Sequence, residues 1–188
     1  DVVWDQELSA SAGVAMAAAL EFVSRRDQLS RQAMHAKIEE YFLVKKDFSE
    51  RYRGRGSAAA NQNAMRFAKA KNNVSARKNL SRGSPKALED SLAAIGVLSG
   101  DPVGDWKSVR AAFQHHDLKP ICQDARMVRL FRASDALATA LSGRWMERGN
   151  YGGAARIVRS VLDQEKLIGL ERESRGVSLM TIHKSKGK

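Results

Sequence analysis

The chain has 188 residues, a single cysteine and a formal net charge of +11 at neutral pH. This length fits one domain with its own hydrophobic core, or one domain with a fragment of another. The lone cysteine excludes an internal disulfide framework, and with four scattered histidines it also excludes a cysteine-rich metal site. The longest apolar run, near residues 14–20, is too short to cross a bilayer, so we expect a soluble, cytoplasmic protein without a membrane partner.

Helical periodicity dominates the first part of the sequence. Residues 11–29 are rich in alanine, the strongest helix former, and place apolar side chains near one stripe. Residues 31–48 repeat the pattern, and the glycines of RYRGRGS, residues 51–57, interrupt it. A further helix is predicted over residues 58–74. Its composition is largely polar, so we expect it to be loosely ordered.

Two residue pairs mark helix starts in the second half of the chain. Ser84-Pro85 and Asp101-Pro102 each combine a capping side chain with a proline, whose missing N–H costs nothing in the first turn. A longer helix is predicted over residues 121–146, with leucines and aromatic residues facing inward. The predicted core is therefore helix packed on helix.

The last residues change period. The turn RGNYGG leads into a predicted helix over residues 154–167, and residues 176–183 then form an almost continuous apolar run, typical of a strand buried in a parallel sheet. Because the chain offers no partner strand, we expect this strand to belong to a sheet encoded elsewhere, and the chain to be a segment of a longer protein. The predicted fold is mainly α: an irregular helical bundle over residues 1–175, followed by a C-terminal β-strand and loop over residues 176–188.

Positive charge is concentrated in one stretch. Residues 45–86 contain twelve lysines and arginines against two acids, a net charge of +10, so the rest of the chain is nearly neutral. Such a single-sign stretch attracts a polyanion, most simply nucleic-acid phosphate, with a disordered tether or an acidic protein partner as the alternative. The basic residues that we predict to contact duplex or junction DNA are Arg51, Arg53, Arg55, Lys69, Lys71, Arg77, Lys78 and Arg82.

Patterns typical of catalysis or of a resident cofactor do not occur in the sequence. Without a Gly-x-x-x-x-Gly-Lys-Ser/Thr phosphate loop, the chain is not expected to hydrolyse a nucleotide by itself. GNYGGA follows a helix, which favours a helix-to-helix turn over a dinucleotide loop. His115, His116 and Asp117 are adjacent on a predicted helix and point apart, which disfavours a metal site. We predict no catalytic residue, metal ligand or cofactor here, and a small buried apolar role for Cys122.

The end of the chain carries a specific motif. Residues 177–188 read VSLMTIHKSKGK, and this string resembles motif V of the UvrD/Rep family of superfamily 1 DNA helicases, whose members read Thr-Ile-His-x-Ser-Lys-Gly. The resemblance implies a RecA-like motor domain in which this segment contacts single-stranded DNA. Hydroxyls, a basic side chain and backbone N–H groups at a glycine turn all suit phosphate. The residues that the resemblance implicates are Thr181, His183, Ser185, Lys186 and Gly187.

The same resemblance implies a place for the helical part. In this family an all-helical insertion, the 2B subdomain, precedes motif V within the second motor domain. The resemblance therefore predicts an accessory, regulatory DNA-binding segment of a bacterial ATP-dependent DNA helicase that unwinds DNA in repair, replication or recombination. Its partners would be DNA and the remaining motor domains, and ATP and magnesium would be bound by the full-length enzyme. The alternative is a stand-alone basic helical module that binds nucleic acid or docks a protein.

Overall fold

The computed structural model describes residues 2–52, 56–114, 117–125 and 134–175. In this part of the chain the fold is mainly α, as predicted, and the predicted strand at residues 176–183 lies outside it. The eight described helices are α1 (Val2–Arg25), α2 (Gln28–Tyr52), α3 (Ser57–Ser75), α4 (Ser84–Ala93), α5 (Pro102–Ala112), α6 (Lys119–Ala125), α7 (Ser134–Arg148) and α8 (Ala154–Arg175).

α1 is the central helix of the bundle. Residues 11–20 are all buried, and α2, α4, α5, α6 and α8 pack against α1. Alanines at many of these positions allow the neighbouring helices to approach closely. By length and composition Glu7–Arg25 could span a membrane, but 72% of that window is buried inside the protein, which fits the core helix of a bundle.

α1 ends short of the predicted boundary at residue 29. Arg26 has a left-handed backbone with a φ of 53°, which stops the helix. Asp27 then caps α2, since its Oδ1 accepts a hydrogen bond from the backbone N–H of Ser30 at 2.7 Å. This hydrogen bond stabilises the charged carboxylate and lowers the pKa of Asp27.

α2 and α3 form a helical hairpin that carries most of the basic stretch. Their contact is the most extensive between any two described helices. Small side chains at spacings of three and four residues allow this close approach. α3 is therefore a packed helix, and the prediction of loose order from its polar composition is wrong. The apolar residues that α3 buries are Ala60, Ala64, Phe67, Ala70 and Val74.

The two predicted helix starts have different outcomes. Asp101 caps α5 as predicted, accepting hydrogen bonds from two backbone N–H groups of the first turn at 3.2 and 2.9 Å. Ser84 does not cap α4, because Gly83 occupies the cap position and Ser84 is already helical. The Ser84 hydroxyl instead bonds to the carboxylate of Asp117, a residue just before α6.

The helix predicted over residues 121–146 corresponds to α6 and α7, with residues 126–133 outside the described part. Leu137 and Leu141 are buried as predicted, and Trp145 packs partly buried against the core. The predicted helix at residues 154–167 is confirmed and continues further as α8.

A buried carboxylate fixes the loop before α5. Asp105 is 4% exposed and accepts hydrogen bonds from the backbone and hydroxyl of Ser99, the backbone of Gly100 and the hydroxyl of Tyr151. These four donors satisfy the carboxylate without a cation. Burial, and then the hydrogen bond to Asp105, raise the pKa of Tyr151 far above its ordinary value, so this hydroxyl stays a donor at physiological pH. The bond ties α5 to the turn before α8.

Candidate nucleic-acid interface

The predicted site residues fall into two groups. Arg53, Arg55 and all five motif V residues, Thr181, His183, Ser185, Lys186 and Gly187, lie outside the described residues. The structure places Arg51 at the end of α2, Lys69 and Lys71 on α3, and Arg77, Lys78 and Arg82 in the loop between α3 and α4.

Ion pairs neutralise part of the basic stretch. Among the described residues, at least five of its basic side chains pair with carboxylates, and in four of these pairs the acid lies outside residues 45–86. The +10 counted along the sequence therefore overstates the charge that the folded surface presents there. The pairs are Lys45 with Asp124, Lys46 with Glu50, Arg66 with Asp117, Lys71 with Glu39 and Lys86 with Asp90.

Lys71 was predicted to contact DNA, but in the structure it joins the two helices of the hairpin. Its Nζ lies 2.6 Å from Oε2 of Glu39 on α2, and both side chains are partly buried. A lysine held in this way has little charge to offer a phosphate. Lys71 therefore contributes to the stability of the hairpin, and its contact with DNA stays a prediction.

The loop between α3 and α4 carries three of the predicted contacts that the structure describes, and their charge is not neutralised by an acid in that part of the chain. Arg77, Lys78 and Arg82 are exposed, and in the described part of the chain none of them pairs with an acid. We call these three residues the basic loop. Lys69 on α3 is likewise exposed and without an acid partner in that part of the chain.

The basic loop lies on a fixed turn. Leu80 is buried in a small apolar cluster with Ala70 and Val74 of α3. The backbone N–H groups of Arg77 and Lys78 bond back to carbonyls of the last turn of α3 at 2.9 and 2.8 Å, and Arg77 adopts a left-handed φ of 56°. Basic side chains at this position also offset the negative end of the helix dipole.

A largely buried ionic network joins α4, the helix after the basic loop, to α2. His35 on α2 is fully buried, and its Nε2 lies 2.7 Å from Oε1 of Glu89 on α4. Arg31 donates to the same carboxylate from Nε and Nη2 at 2.7 and 2.8 Å. Phe67 on α3 lies against the His35 ring, with 5.8 Å between the ring centroids. The ion pairs thus hold α4 to α2, and the ring contact adds to the packing of α3 on α2.

The same network lowers the pKa of Glu89. Burial raises the pKa of this carboxyl, but hydrogen bonds from His35 and Arg31 and the positive charge of Arg31 outweigh the burial, and the pKa lies below the ordinary 4.5. The carboxylate is therefore charged at neutral pH and holds its two partners by charge-assisted hydrogen bonds.

A partly buried carboxylate, absent from the sequence predictions, fastens α6 to the bundle. Asp124 accepts hydrogen bonds from the Tyr41 hydroxyl at 2.6 Å and from Lys45 at 2.7 Å. Burial, and then the charge of Asp124, raise the pKa of Tyr41 well above its ordinary value. Cys122 is buried on the same helix, as predicted for a small apolar side chain.

Metal-ligating side chains do not gather in groups of three or more anywhere among the described residues. His115 and His116 lie outside that part of the chain. The arrangement that the structure does present is a fixed turn with unneutralised lysine and arginine side chains, which is suited to contact with phosphate.

Comparison with known protein families, with curated proteins and with solved structures finds no match to this chain. The functional argument therefore depends on the chemistry of the residues and on their arrangement.

Proposed function

We propose that this chain is an accessory DNA-binding segment of an ATP-dependent DNA helicase, with the basic loop as its contact to duplex or junction DNA. The observation that carries the DNA-binding part is the basic loop itself: three exposed cations, without acid partners in the described part, on an anchored turn. The helicase part depends on the string at residues 181–187. In that assignment ATP and magnesium belong to the motor domains, and the segment alone has no enzymatic activity.

The chemistry of the basic loop favours binding to the nucleic-acid backbone over reading of base sequence. Arginine offers a planar fork that matches two phosphate oxygens, and lysine contributes a point charge. Tyr52, at the end of α2, is 44% exposed but already packs on Phe48, with 5.3 Å between the ring centroids. With little aromatic surface to stack on bases, we expect weak binding without sequence preference.

Replacing Arg77, Lys78 and Arg82 together by alanine is expected to weaken duplex binding and its dependence on salt. For each phosphate that the variant no longer neutralises, the log–log salt dependence of the affinity flattens by about 0.9. Fluorescence anisotropy with a labelled duplex, titrated at several salt concentrations, measures both quantities. Replacing Arg51, Arg53 and Arg55 in a second variant tests the other arginine cluster in the same way.

The matched control for the basic loop is the triple variant Lys107→Ala, Lys119→Ala and Lys166→Ala. These lysines are exposed and lack acid partners in the described part of the chain, so the variant loses the same three charges at other places. We expect it to keep most of the salt dependence. Equal effects of the two triple variants would show that only net charge matters. An affinity independent of salt would favour the protein-docking alternative.

The helicase assignment has a separate test in the full-length protein. Lys186→Ala is expected to lower DNA-stimulated ATP hydrolysis by about tenfold, the loss typical of one charge-assisted hydrogen bond to phosphate. The basic-loop variant is expected to alter duplex binding while leaving hydrolysis stimulated by single-stranded DNA intact. A full-length protein without DNA-stimulated ATP hydrolysis would refute the helicase assignment and leave the DNA-binding proposal standing.

A further inference from the structure

The turn between α7 and α8, residues 149–153, is anchored to the core. Tyr151 is fully buried, and its hydroxyl donates to Asp105 at 2.7 Å. Its ring packs on Trp145, with the centroids 4.9 Å apart, and its backbone N–H bonds to the Ser24 hydroxyl at 3.0 Å. These interactions fix the positions of Gly152 and Gly153, the two residues after Tyr151.

Three arginines from three helices surround those glycines. A Cβ atom placed on Gly153 would lie 3.4 Å from Nη2 of Arg156 on α8 and 3.6 Å from Nη2 of Arg144 on α7. A Cβ on Gly152 would lie 3.9 Å from Nη1 of Arg25 on α1. Because glycine has no side chain, the guanidinium groups of Arg144 and Arg156 both come close to Gly153 and so lie near each other.

The charge at this point is poorly neutralised. Arg25 is held by two acids at 3.2 and 2.7 Å and forms a wall of the site. Arg144 lies 3.4 Å from Glu147, whose side chain is 68% exposed, so that pairing is weak. Arg156 is exposed and has no acid partner in the described part of the chain. Converging cations of this kind favour an anion between them.

Arg156 also borders a groove. The groove has a volume of about 290 Å³ and runs between α1, α2 and α8. It therefore has room for the remainder of a molecule whose anionic group lies beside Gly153. The charged and polar side chains that line it are Glu7, Ser11, Lys37, Glu40, Arg156 and Arg159.

We propose that Arg144 and Arg156 form a phosphate-binding site beside Gly153. Two guanidinium forks match the several oxygens of a phosphate group better than the two oxygens of a carboxylate. The phosphate belongs either to a nucleic-acid backbone or to a small phosphorylated molecule. This site stands apart from the basic loop, which lies between α3 and α4, and does not rest on the proposed function.

Calorimetric titration with inorganic pyrophosphate at low ionic strength tests the site. The double variant Arg144→Ala, Arg156→Ala is expected to bind about tenfold more weakly, or worse, because both guanidinium donors are removed. The control is the double variant Arg148→Ala, Lys166→Ala, which removes two exposed charges elsewhere and is expected to bind like the wild type. Equal affinities in the two double variants, or no binding by the wild type, would overturn the proposal.

A second variant separates a defined site from a general charge effect. Gly153→Ala keeps both arginines but places a methyl group against both guanidinium groups, where the phosphate would approach them, so it is expected to weaken pyrophosphate binding. Since Gly153 has a positive φ of 85°, circular dichroism must show that this variant is folded. A folded Gly153→Ala protein with wild-type affinity would also overturn the proposal.

Measuring duplex DNA binding by the same variants shows whether the phosphate belongs to a nucleic-acid backbone or to a small molecule. If the arginine double variant weakens both pyrophosphate and duplex binding, the site takes a backbone phosphate. If only pyrophosphate binding falls, the ligand is a small phosphorylated molecule. The basic-loop variant is expected to leave pyrophosphate binding unchanged. The duplex-binding proposal for the basic loop and the phosphate-site proposal can therefore be refuted independently of each other.

Discussion

Phe67→Ala is expected to lower the free energy of unfolding by about 4 kcal/mol, the largest effect of any single substitution considered. Phe67 is fully buried on α3 and is the one aromatic side chain on a buried face otherwise made of three alanines, a valine and Asn63. Its ring stacks on Phe42, with 6.0 Å between the centroids, and lies against His35. Removing it leaves a cavity between α2 and α3 that rigid helices cannot close. Urea unfolding followed by far-ultraviolet circular dichroism measures the loss.

Met65→Ala is the control on the same helix. Met65 is 65% exposed, so its truncation is expected to change the stability by less than about 0.5 kcal/mol. Phe67→Leu is expected to lie between the two, since it retains part of the buried apolar volume. Similar stabilities for Phe67→Ala and Met65→Ala would show that α3 does not depend on this packing.

Local physics explains the parts of the fold that the sequence predicts well. Alanine content and apolar periodicity locate the helices, and Asp101-Pro102 marks the start of α5 because a cap needs only its own first turn. The same local reasoning fails where a tertiary partner decides the outcome. Serine commonly caps helices, but Gly83 occupies the N-cap position of α4. The hydroxyl of Ser84 donates a hydrogen bond to the carboxylate of Asp117 instead.

Charge pairing shows the same limit at the candidate interface. The sequence locates every lysine and arginine of the basic stretch, but the acids that neutralise Lys45 and Arg66 lie 79 and 51 residues away. Such pairs form only when helices pack, so periodicity and composition carry no signal for them. The structure is what separates Lys71, which binds Glu39, from Arg77 and its neighbours in the loop.

Polar composition misleads in a related way for α3. Of its 19 residues, nine are exposed and only six are buried. A helix needs only one apolar face to pack against a neighbour. The small alanine side chains on this face of α3 allow α2 to approach closely. The motif V residues lie outside the described part of the chain, so their role stays a prediction from resemblance.

Glu89→Ala is expected to destabilise the protein by about 3 kcal/mol at neutral pH, because it leaves the fully buried His35 and the largely buried Arg31 without their carboxylate. The effect should depend on pH. The folded-state pKa of Glu89 lies below the unfolded value of 4.5, so its network adds full stability above pH 4.5 and loses it as the pH falls through the folded pKa. The gap between wild type and variant should therefore narrow on acidification below pH 4.5.

Asp90→Ala is the matched control for this prediction, since Asp90 is the next residue on α4 and forms an exposed pair with Lys86. Its removal is expected to cost less than about 1 kcal/mol. Urea unfolding of the wild type and both variants, at neutral pH and in successive steps below pH 4.5, follows this gap as the carboxylate of Glu89 is protonated. A gap that stays constant with pH would mean that the cost comes from poorer packing and not from the charged network.

Because α4 holds one end of the basic loop, the Glu89 variant should also bind duplex DNA more weakly than the Asp90 variant, even where both remain folded.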